Sequence, residues 1–378
     1  MVKKKRIDEL DIVKGIAIIY VFMRHLCELT GVNVYGHVFY TFFDKYTESF
    51  MFLFILLSGY VFKSKGSISF DIKNKCKQLL IPYLKFSTFF TLTYFVRYIL
   101  FSDMNIGLFF RNTISNFLAF PNLDIPALGT GYNVMVYAYV PYWYIAEIFM
   151  AFVLFIIINK LIENKGIYLK ILTTLVLFFV SSILMYLDLR HLLENTFASK
   201  ASYFTIAPNI VGFAALLMLG TIFQDYKLFD IEAHSKRFTG TLFIICLIQL
   251  SIRIALYDNQ YALQYGRWGD EGLWSVRITS VTGFTLTYCL IYIAYYLKKI
   301  YFIKKMLSFV GSRTLDILLL HFGIAELWCM VLGFWQPVYQ IEKYPVESFA
   351  WWHLPVVTLL TCASIGLYFV LRDIKKNK

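Results

Sequence analysis

Long apolar runs constrain the fold of this chain more than any other feature. A helix that crosses a bilayer needs roughly 17–25 predominantly apolar residues. Runs of that length lie at about 12–30, 79–101, 137–159, 168–187, 206–223, 239–257, 277–297, 309–333 and 354–371. A shorter run, 49–62, either spans with help from its polar upstream flank or forms a kinked or half-buried helix near Gly59. The sequence therefore predicts an all-α, polytopic transmembrane helical bundle of about ten spans.

Composition supports the same class. The chain is 59% hydrophobic and 19% aromatic, whereas soluble domains contain roughly 45–50% apolar residues. No repeat or linker divides the sequence, so residues 1–378 are predicted to form a single transmembrane domain. The basic KKKR at the start precedes an apolar run interrupted by charge, with no small-residue cleavage site. That run is predicted to be a retained helix rather than a signal peptide.

The positive charges are distributed unequally between the two sides of the membrane. In a chain with ten spans, alternate loops lie on the same side. The loops on one side, together with both termini, carry 23 of the 36 lysines and arginines, and the loops on the other side carry 6. Cytoplasmic loops are enriched in Lys and Arg, so both termini are predicted to be cytoplasmic. This pattern accounts for the net charge of +12 without a nucleic-acid partner. The six cysteines are scattered without a C-x-x-C pair, so no disulfide frame or metal site is expected.

The first run contains ionisable residues that are costly at membrane depth and therefore indicate function. Lys14 and His25 are eleven residues apart, which places them on one helix face about 16 Å apart along the axis. Arg24 lies about 100° around the helix from His25, so it is not assigned to the chemistry. On this stretch alone, a snorkelling lysine and a histidine bonded to a neighbouring helix have about even weight.

Charges within the predicted spans form two layers. Toward the cytoplasm lies a set suited to phosphates: Lys14, Lys85 and Arg313, with Lys77 just below. Toward the outside lie Arg24, His25, Arg97, Glu147, Arg253, Arg277 and Glu326. Glu147 and His25 lie at similar depth, so Glu147 is predicted to fix the tautomer of His25, with Glu326 as the alternative.

The tryptophans indicate an acceptor surface. All seven fall on predicted outer loops or outer span ends: 143, 268, 274, 328, 335, 351 and 352. An interfacial belt should occupy both faces of the membrane, so this distribution favours an external aromatic surface over a plain belt. Flat rings near carboxylates such as Asp270 suit a sugar ring. Trp143, Trp268 and Trp274 are therefore predicted to contact substrate.

The opening RIDELDIVKGIAIIYVFMRH resembles the first-helix signature of the acyltransferase-3 family of bacterial membrane acetyltransferases, especially the branch related to fucose and polysaccharide O-acetylases. The residues that carry this resemblance are Asp11, Lys14, Gly15 and His25. Later segments resemble the family in the same order: Ser58-Gly59-Tyr60, Pro82-Tyr83, PYWYIAEIF, and Gly311 with Thr314 and His321. Two positions depart from it. Arg24 replaces a small residue, and Gln78 stands where Arg is common, which leaves that phosphate contact to Lys77 or to no residue.

The resemblance implies an O-acetyltransferase of the bacterial plasma (inner) membrane, with acetyl-CoA as donor and a hydroxyl of a surface or lipid-linked glycan as acceptor. Donor phosphates would rest on Lys14, Lys85 and Arg313 while the thioester reaches His25, so no nucleotide crosses the membrane. His25 would serve as general base or carry a transient acetyl group. His321 is interpreted as a structural rather than a catalytic histidine, by about two to one.

A transporter or flippase of a lipid-linked glycan is the competing function, because embedded His, Glu and Arg also suit a proton relay. The sequence lacks the repeated pair of Gly/Pro-broken spans that many alternating-access carriers have. It leaves open the sugar, the hydroxyl, the acyl length and whether the protein works as a homodimer.

Overall fold

The computed structural model describes residues 7–30, 47–101, 143–163, 165–186, 202–257, 272–332 and 352–376. Within these ranges the regular structure is helical, which confirms the predicted all-α class. The helices are α1 (Asp8–Leu29), α2 (Thr47–Tyr60), α3 (Ile68–Lys75), α4 (Ile81–Phe101), α5 (Trp143–Ile162), α6 (Ile167–Tyr186), α7 (Ser202–Asp225), α8 (Lys236–Tyr257), α9 (Gly272–Leu297), α10 (Tyr301–Gly311), α11 (Thr314–Val331) and α12 (His353–Lys376).

Several helices are suited to a bilayer. Four helices in the described ranges are long and apolar enough to cross a membrane, or up to five if α10 and α11 together count as one span. The four are Tyr144–Ile162, Ile167–Leu184, Ala207–Asp225 and His353–Lys375. The apolar helices Ser49–Tyr60 and Val281–Leu297 are shorter. The count of ten spans and the cytoplasmic position of both termini stay predictions.

The chain divides into two compact units. The first contains Met1–Lys14, Glu48–Tyr83 and Trp143–Phe309, and the second contains Gly15–Thr47, Leu84–Tyr142 and Val310–Lys378. Helix α1 is unbroken from Asp8 to Leu29, so the boundary between Lys14 and Gly15 falls within one helix. The single transmembrane domain remains a prediction.

Close helix contacts organise the first unit. Helix α7 packs along α5 and α6, α8 packs along α9, and α3 lies against α5. Where α2 meets α7, a Cβ atom on Gly59 would lie 2.2 Å from the carbonyl oxygen of Leu217, and one on Gly220 would lie 2.4 Å from that of Leu56. Only glycine permits such backbone contact. The short helix α2 is accordingly buried, with Leu53 at 0% exposure.

Ion pairs fix the start of α1 within the first unit. Asp8 pairs with Lys304 at 2.6 Å, and Glu9 pairs with Lys298, which also bonds Glu232. Burial alone would lower the pKa of Lys298. The hydrogen bonds that Lys298 donates to Glu9 and Glu232 have the larger combined effect, so its pKa is raised. Acidic residues in the first turn also interact favourably with the helix dipole.

In the second unit, α11 packs against α12. Arg372 pairs with Asp316, and Arg313 pairs with Asp373 at 3.3 Å, so α12 supplies both a base and an acid, and their partners lie on the first turn of α11 and just before it. The sequence predicted one span over 309–333 after a loop at 298–305. Instead the helix is interrupted after Gly311, whose carbonyl accepts a 2.7 Å hydrogen bond from the Thr314 hydroxyl. Asp316 in the first turn then favours the start of α11.

The contact between α2 and α7 gives the first prediction. Gly59→Ala and Gly220→Ala should each destabilise the protein by about 1–3 kcal/mol, because the added methyl group would overlap backbone atoms that cannot move away alone. Gly240→Ala is the matched control, since nothing lies within 4 Å of its Cβ position. Thermal unfolding in detergent is the measurement. Equal melting temperatures for all three variants would contradict the proposed close packing.

Candidate functional site

Two histidines lie side by side in the second unit. The ring centroids of His25 on α1 and His321 on α11 are 5.2 Å apart, with the ring planes at 47°. Phe322 meets the His25 ring edge-on at 5.6 Å, and Phe22 lies 5.8 Å from the His321 ring. The pair is therefore enclosed by aromatic side chains contributed by the same two helices.

His321 is completely buried, with 0% of its surface exposed. Its Nδ1 atom lies 3.0 Å from the carbonyl oxygen of Ile317 and 2.9 Å from that of Leu318. A carbonyl oxygen only accepts, so Nδ1 must donate and carries the proton. Within the described residues, the buried Nε2 atom has no hydrogen-bond partner. His321 thus presents a bare lone pair inside the unit.

Arg24 contacts the predicted catalytic histidine, although it was not assigned to the chemistry. Its Nη1 atom lies 3.4 Å from Nδ1 of His25, a long and weak contact. The guanidinium has no acceptor atom, so it can only donate to this nitrogen. A cation beside the imidazole can also stabilise the oxyanion that forms during acyl transfer.

A cluster of lysines in the first unit surrounds Lys75 at the end of α3. The Lys75 ammonium lies 3.8 Å from the centroid of the Phe152 ring and 5.9 Å from that of Phe62, close enough for cation–π attraction. Asp71, which is buried, accepts hydrogen bonds from the Ser64 hydroxyl at 2.8 Å and the Lys65 backbone N–H at 3.1 Å. These bonds hold the loop that precedes α3 in place.

Electrostatics join Lys75 to the predicted phosphate ligand Lys14. Burial lowers the pKa of Lys75 to about 8, Asp71 opposes this change, and the positive charges of Lys14 and Lys65 add to it. Lys14 is half-buried on α1. A lysine whose charged form is disfavoured by neighbouring cations gains from an anion placed beside it.

The other predicted phosphate ligands have different surroundings. Lys77 is exposed on the π-helical turn Cys76–Leu80 in the first unit. In the second unit, Lys85 is exposed with its ammonium 5.6 Å from the Phe86 ring centroid, and Arg313 is paired with Asp373. Of these predicted ligands, Lys14 and Lys77 belong to the first unit, and Lys85 and Arg313 belong to the second.

Glu147 has a partner on a neighbouring helix. It is fully buried on α5, and its Oε2 atom accepts a 3.1 Å hydrogen bond from Asn209 on α7. Both residues belong to the first unit, whereas His25 belongs to the second. The orienting role of Glu147 toward His25 stays a prediction, and so does the alternative, the buried Glu326 of the second unit.

The predicted tryptophan surface is described only in part. Trp143 begins α5 and Trp274 lies in the first turn of α9, while Trp268 lies outside the described residues. Trp328 donates from Nε1 to the hydroxyl of Ser364 at 3.0 Å. It also lines a cavity of about 610 Å³ between α4, α11 and α12, with Lys85, Phe89 and Tyr368 among its walls. Contact between these tryptophans and a sugar stays a prediction.

A helical protein with apolar helices long enough to cross a membrane belongs to the membrane-embedded class of proteins. The comparison with protein families identifies it further. A family model described as an acyltransferase domain matches residues 7–371, and the chain belongs to the acyltransferase-3 family. It is therefore a membrane acyltransferase. No curated protein and no solved structure matches the chain. The fucose O-acetylase-like branch stays a prediction.

The lysine cluster gives the second prediction. Lys14→Ala should raise the pKa of Lys75, because it removes a positive charge that disfavours the ammonium form. The neutral amine reacts with acylating reagents, so Lys75 should be labelled several-fold more slowly at pH 8 in this variant. Competitive labelling with mass spectrometry is the measurement. Lys73→Ala, an exposed position on the same helix, is the control and should leave the rate unchanged. Equal labelling of Lys75 in the wild-type protein and in both variants would show that the charge of Lys14 does not act on Lys75.

Proposed function

We propose that this acyltransferase moves an acetyl group from cytosolic acetyl-CoA to a hydroxyl of a surface or lipid-linked glycan on the outer side of the bacterial plasma membrane. The observation that carries the proposal is that Lys14 and His25 lie on one unbroken helix, α1. Their separation, about 16 Å along the axis, allows phosphates to be held at one end while the reacting group lies at the other.

The donor half of the proposal rests on the lysine cluster. Coenzyme A is strongly anionic, and its phosphates would lie among Lys14, Lys75 and Lys77. A phosphate beside Lys75 stabilises its charged form, so donor binding should raise the lowered pKa of this lysine and take up protons near pH 8. Lys85 and Arg313 remain proposed donor ligands, and Arg313 would have to exchange Asp373 for a phosphate.

The chemical step uses His25. Its bare ring nitrogen takes the proton of the acceptor hydroxyl as the oxygen attacks the thioester carbonyl. The tetrahedral oxyanion collapses, the C–S bond breaks, and the leaving thiolate takes the proton from the imidazolium. Arg24 is close enough to the ring to stabilise the oxyanion. A route through acetyl-His25 uses the same residues in two transfers.

The acceptor half of the proposal rests on chemistry that the family supports in outline. An aromatic surface that includes Trp143, Trp268 and Trp274 would bind the apolar face of a sugar. With both termini cytoplasmic, this surface would face the outside, where a surface or lipid-linked glycan is available.

Thiol release from acetyl-CoA tests the proposed activity. Purified protein in detergent should release free CoA faster when a suitable glycan is present, and His25→Ala should lower the rate by about 10²–10⁴-fold because it removes the base. His234→Ala is the control, since His234 is half-buried in the first unit, far from α1 in sequence, and its Nε2 atom lies 3.1 Å from the Lys227 carbonyl oxygen. Activity of His25→Ala within a few-fold of the wild-type rate would overturn the assignment of the base.

Donor binding tests Lys14 separately. Lys14→Ala should weaken acetyl-CoA binding, whereas Lys14→Arg should largely retain it because the site requires a cation near phosphate. Calorimetry or thermal shift with acetyl-CoA is the measurement. Unchanged affinity in the Ala variant would leave Lys14 as a snorkelling lysine.

A further inference from the structure

The histidine pair has complementary hydrogen-bonding atoms. His321 donates from Nδ1 to carbonyl oxygens of its own helix, so its Nε2 atom is an acceptor. The guanidinium of Arg24 lies at Nδ1 of His25 and can only donate, so neutral His25 carries its proton on Nε2. One ring therefore offers an N–H group and the other offers a lone pair, with 5.2 Å between centroids.

We propose that His321 is the positioning residue of His25. Nε2 of His321 has no partner among the described residues, and a small rotation of the His25 ring lets it accept the Nε2–H of His25. Nδ1 of His25 is then the nitrogen that takes the proton of the acceptor hydroxyl, which replaces the weakly held Arg24 there. This inference deepens the proposed function and rests on it, because His25 is the base of that function. It assigns to His321 the orienting role that the sequence predicted for Glu147.

Burial explains why His321 suits this role. A buried nitrogen without a hydrogen bond costs free energy, and a bilayer supplies no water to satisfy it. Within the described residues, Nε2 of His321 has no partner, while Nδ1 is locked by two carbonyl oxygens. The lock prevents the ring from presenting an N–H group toward His25 without losing both bonds. The bonds at Nδ1 thus make His321 the acceptor and His25 the donor in a hydrogen bond between the two rings.

Nitrogen NMR of the ring-labelled histidines tests the proposal without any enzymatic turnover. Protonated and bare imidazole nitrogens have distinct chemical shifts, and the six histidines are few enough to assign by substitution. The spectrum of His25→Ala identifies the His25 signals by subtraction. Wild-type protein should show a bare Nδ1 and a protonated Nε2 for His25, and the same atoms with opposite roles for His321.

Two substitutions of His321 then separate positioning from folding. His321→Leu removes the acceptor, so the His25 signals should move toward a mixture of tautomers, because the 3.4 Å contact from Arg24 is too weak to hold the tautomer alone. His321→Gln places a carbonyl oxygen near the former Nε2 atom and should retain the wild-type tautomer. His353→Gln, which changes another buried histidine, is the matched control and should leave the His25 signals unchanged.

Kinetics give a second readout. His321→Leu should lower kcat by about 10–100-fold, the usual cost of losing a residue that orients a reacting histidine. The KM for acetyl-CoA should stay constant, and His321→Gln should recover part of the rate. A general loss of folding would instead lower the amount of active protein, with KM unchanged, no recovery in His321→Gln and a lower melting temperature in both variants, and would count against a positioning role.

The proposed function and the proposed histidine pair can each be overturned without the other. If wild-type protein releases no thiol with any glycan while the His25 tautomer still depends on residue 321, the proposed function fails and the histidine pair stands. If the His25 tautomer is mixed in wild-type protein, or does not change in His321→Leu, the pairing is overturned. A tautomer that changes in Glu147→Gln but not in His321→Leu would overturn it in favour of Glu147.

Discussion

A polar group inside a bilayer must find its hydrogen-bond partner within the protein, because no water is present to replace one. Several described side chains meet this requirement with a bond to a neighbouring helix. Ser181 on α6 donates to the Pro208 carbonyl on α7, and Asn209 donates to Glu147. His321 satisfies one of its nitrogens on its own helix. The second nitrogen has no partner among the described residues, and the proposed hydrogen bond with His25 would supply one.

Helix α1 connects the two ends of the proposed reaction. Its first turn is fixed within the first unit by the ion pairs of Asp8 and Glu9, and its later residues contribute His25 to the second unit. An unbroken helix is stiff, so the spacing between Lys14 and His25 is set by helix geometry rather than by loop conformation. In the proposed reaction, this spacing would set the distance from the donor phosphates to the reacting carbon.

Apolar run lengths predicted the helices well because burial of apolar surface determines where a helix begins and ends. The run at 168–187 corresponds to the helix Ile167–Tyr186, and the run at 354–371 corresponds to the helix His353–Lys376. The interruption after Gly311 was missed because apolar residues continue through it. The acyltransferase-3 family was predicted correctly from the resemblance of the first helix to its signature. The placement of Lys14 and His25 on one face follows from 3.6 residues per turn, and the role of His25 as base stays a prediction.

Contacts between helices could not be predicted, because a sequence does not rank helix neighbours. His321 was interpreted as structural, yet it lies beside His25, and Lys75 was overlooked in favour of Lys77. Lys75 differs from the neighbouring lysines in its contact with the ring of Phe152, a residue 77 positions away. The sequence did contain one signal for a functional His321. This histidine lies in a segment that resembles the family, which favours a role in the site over a purely structural one.

The lowered pKa of Lys75 has a consequence for turnover. A donor site must hold acetyl-CoA and then release CoA, which carries the same phosphates, so very tight phosphate binding would slow each cycle. A lysine with a pKa of about 8 is mostly charged at neutral pH, but part of the phosphate attraction is offset by burial and by repulsion from Lys14 and Lys65. Phosphate binding thereby relieves repulsion within the cluster, and release restores it. As the proposed donor site, the cluster would attract both anions without retaining the product.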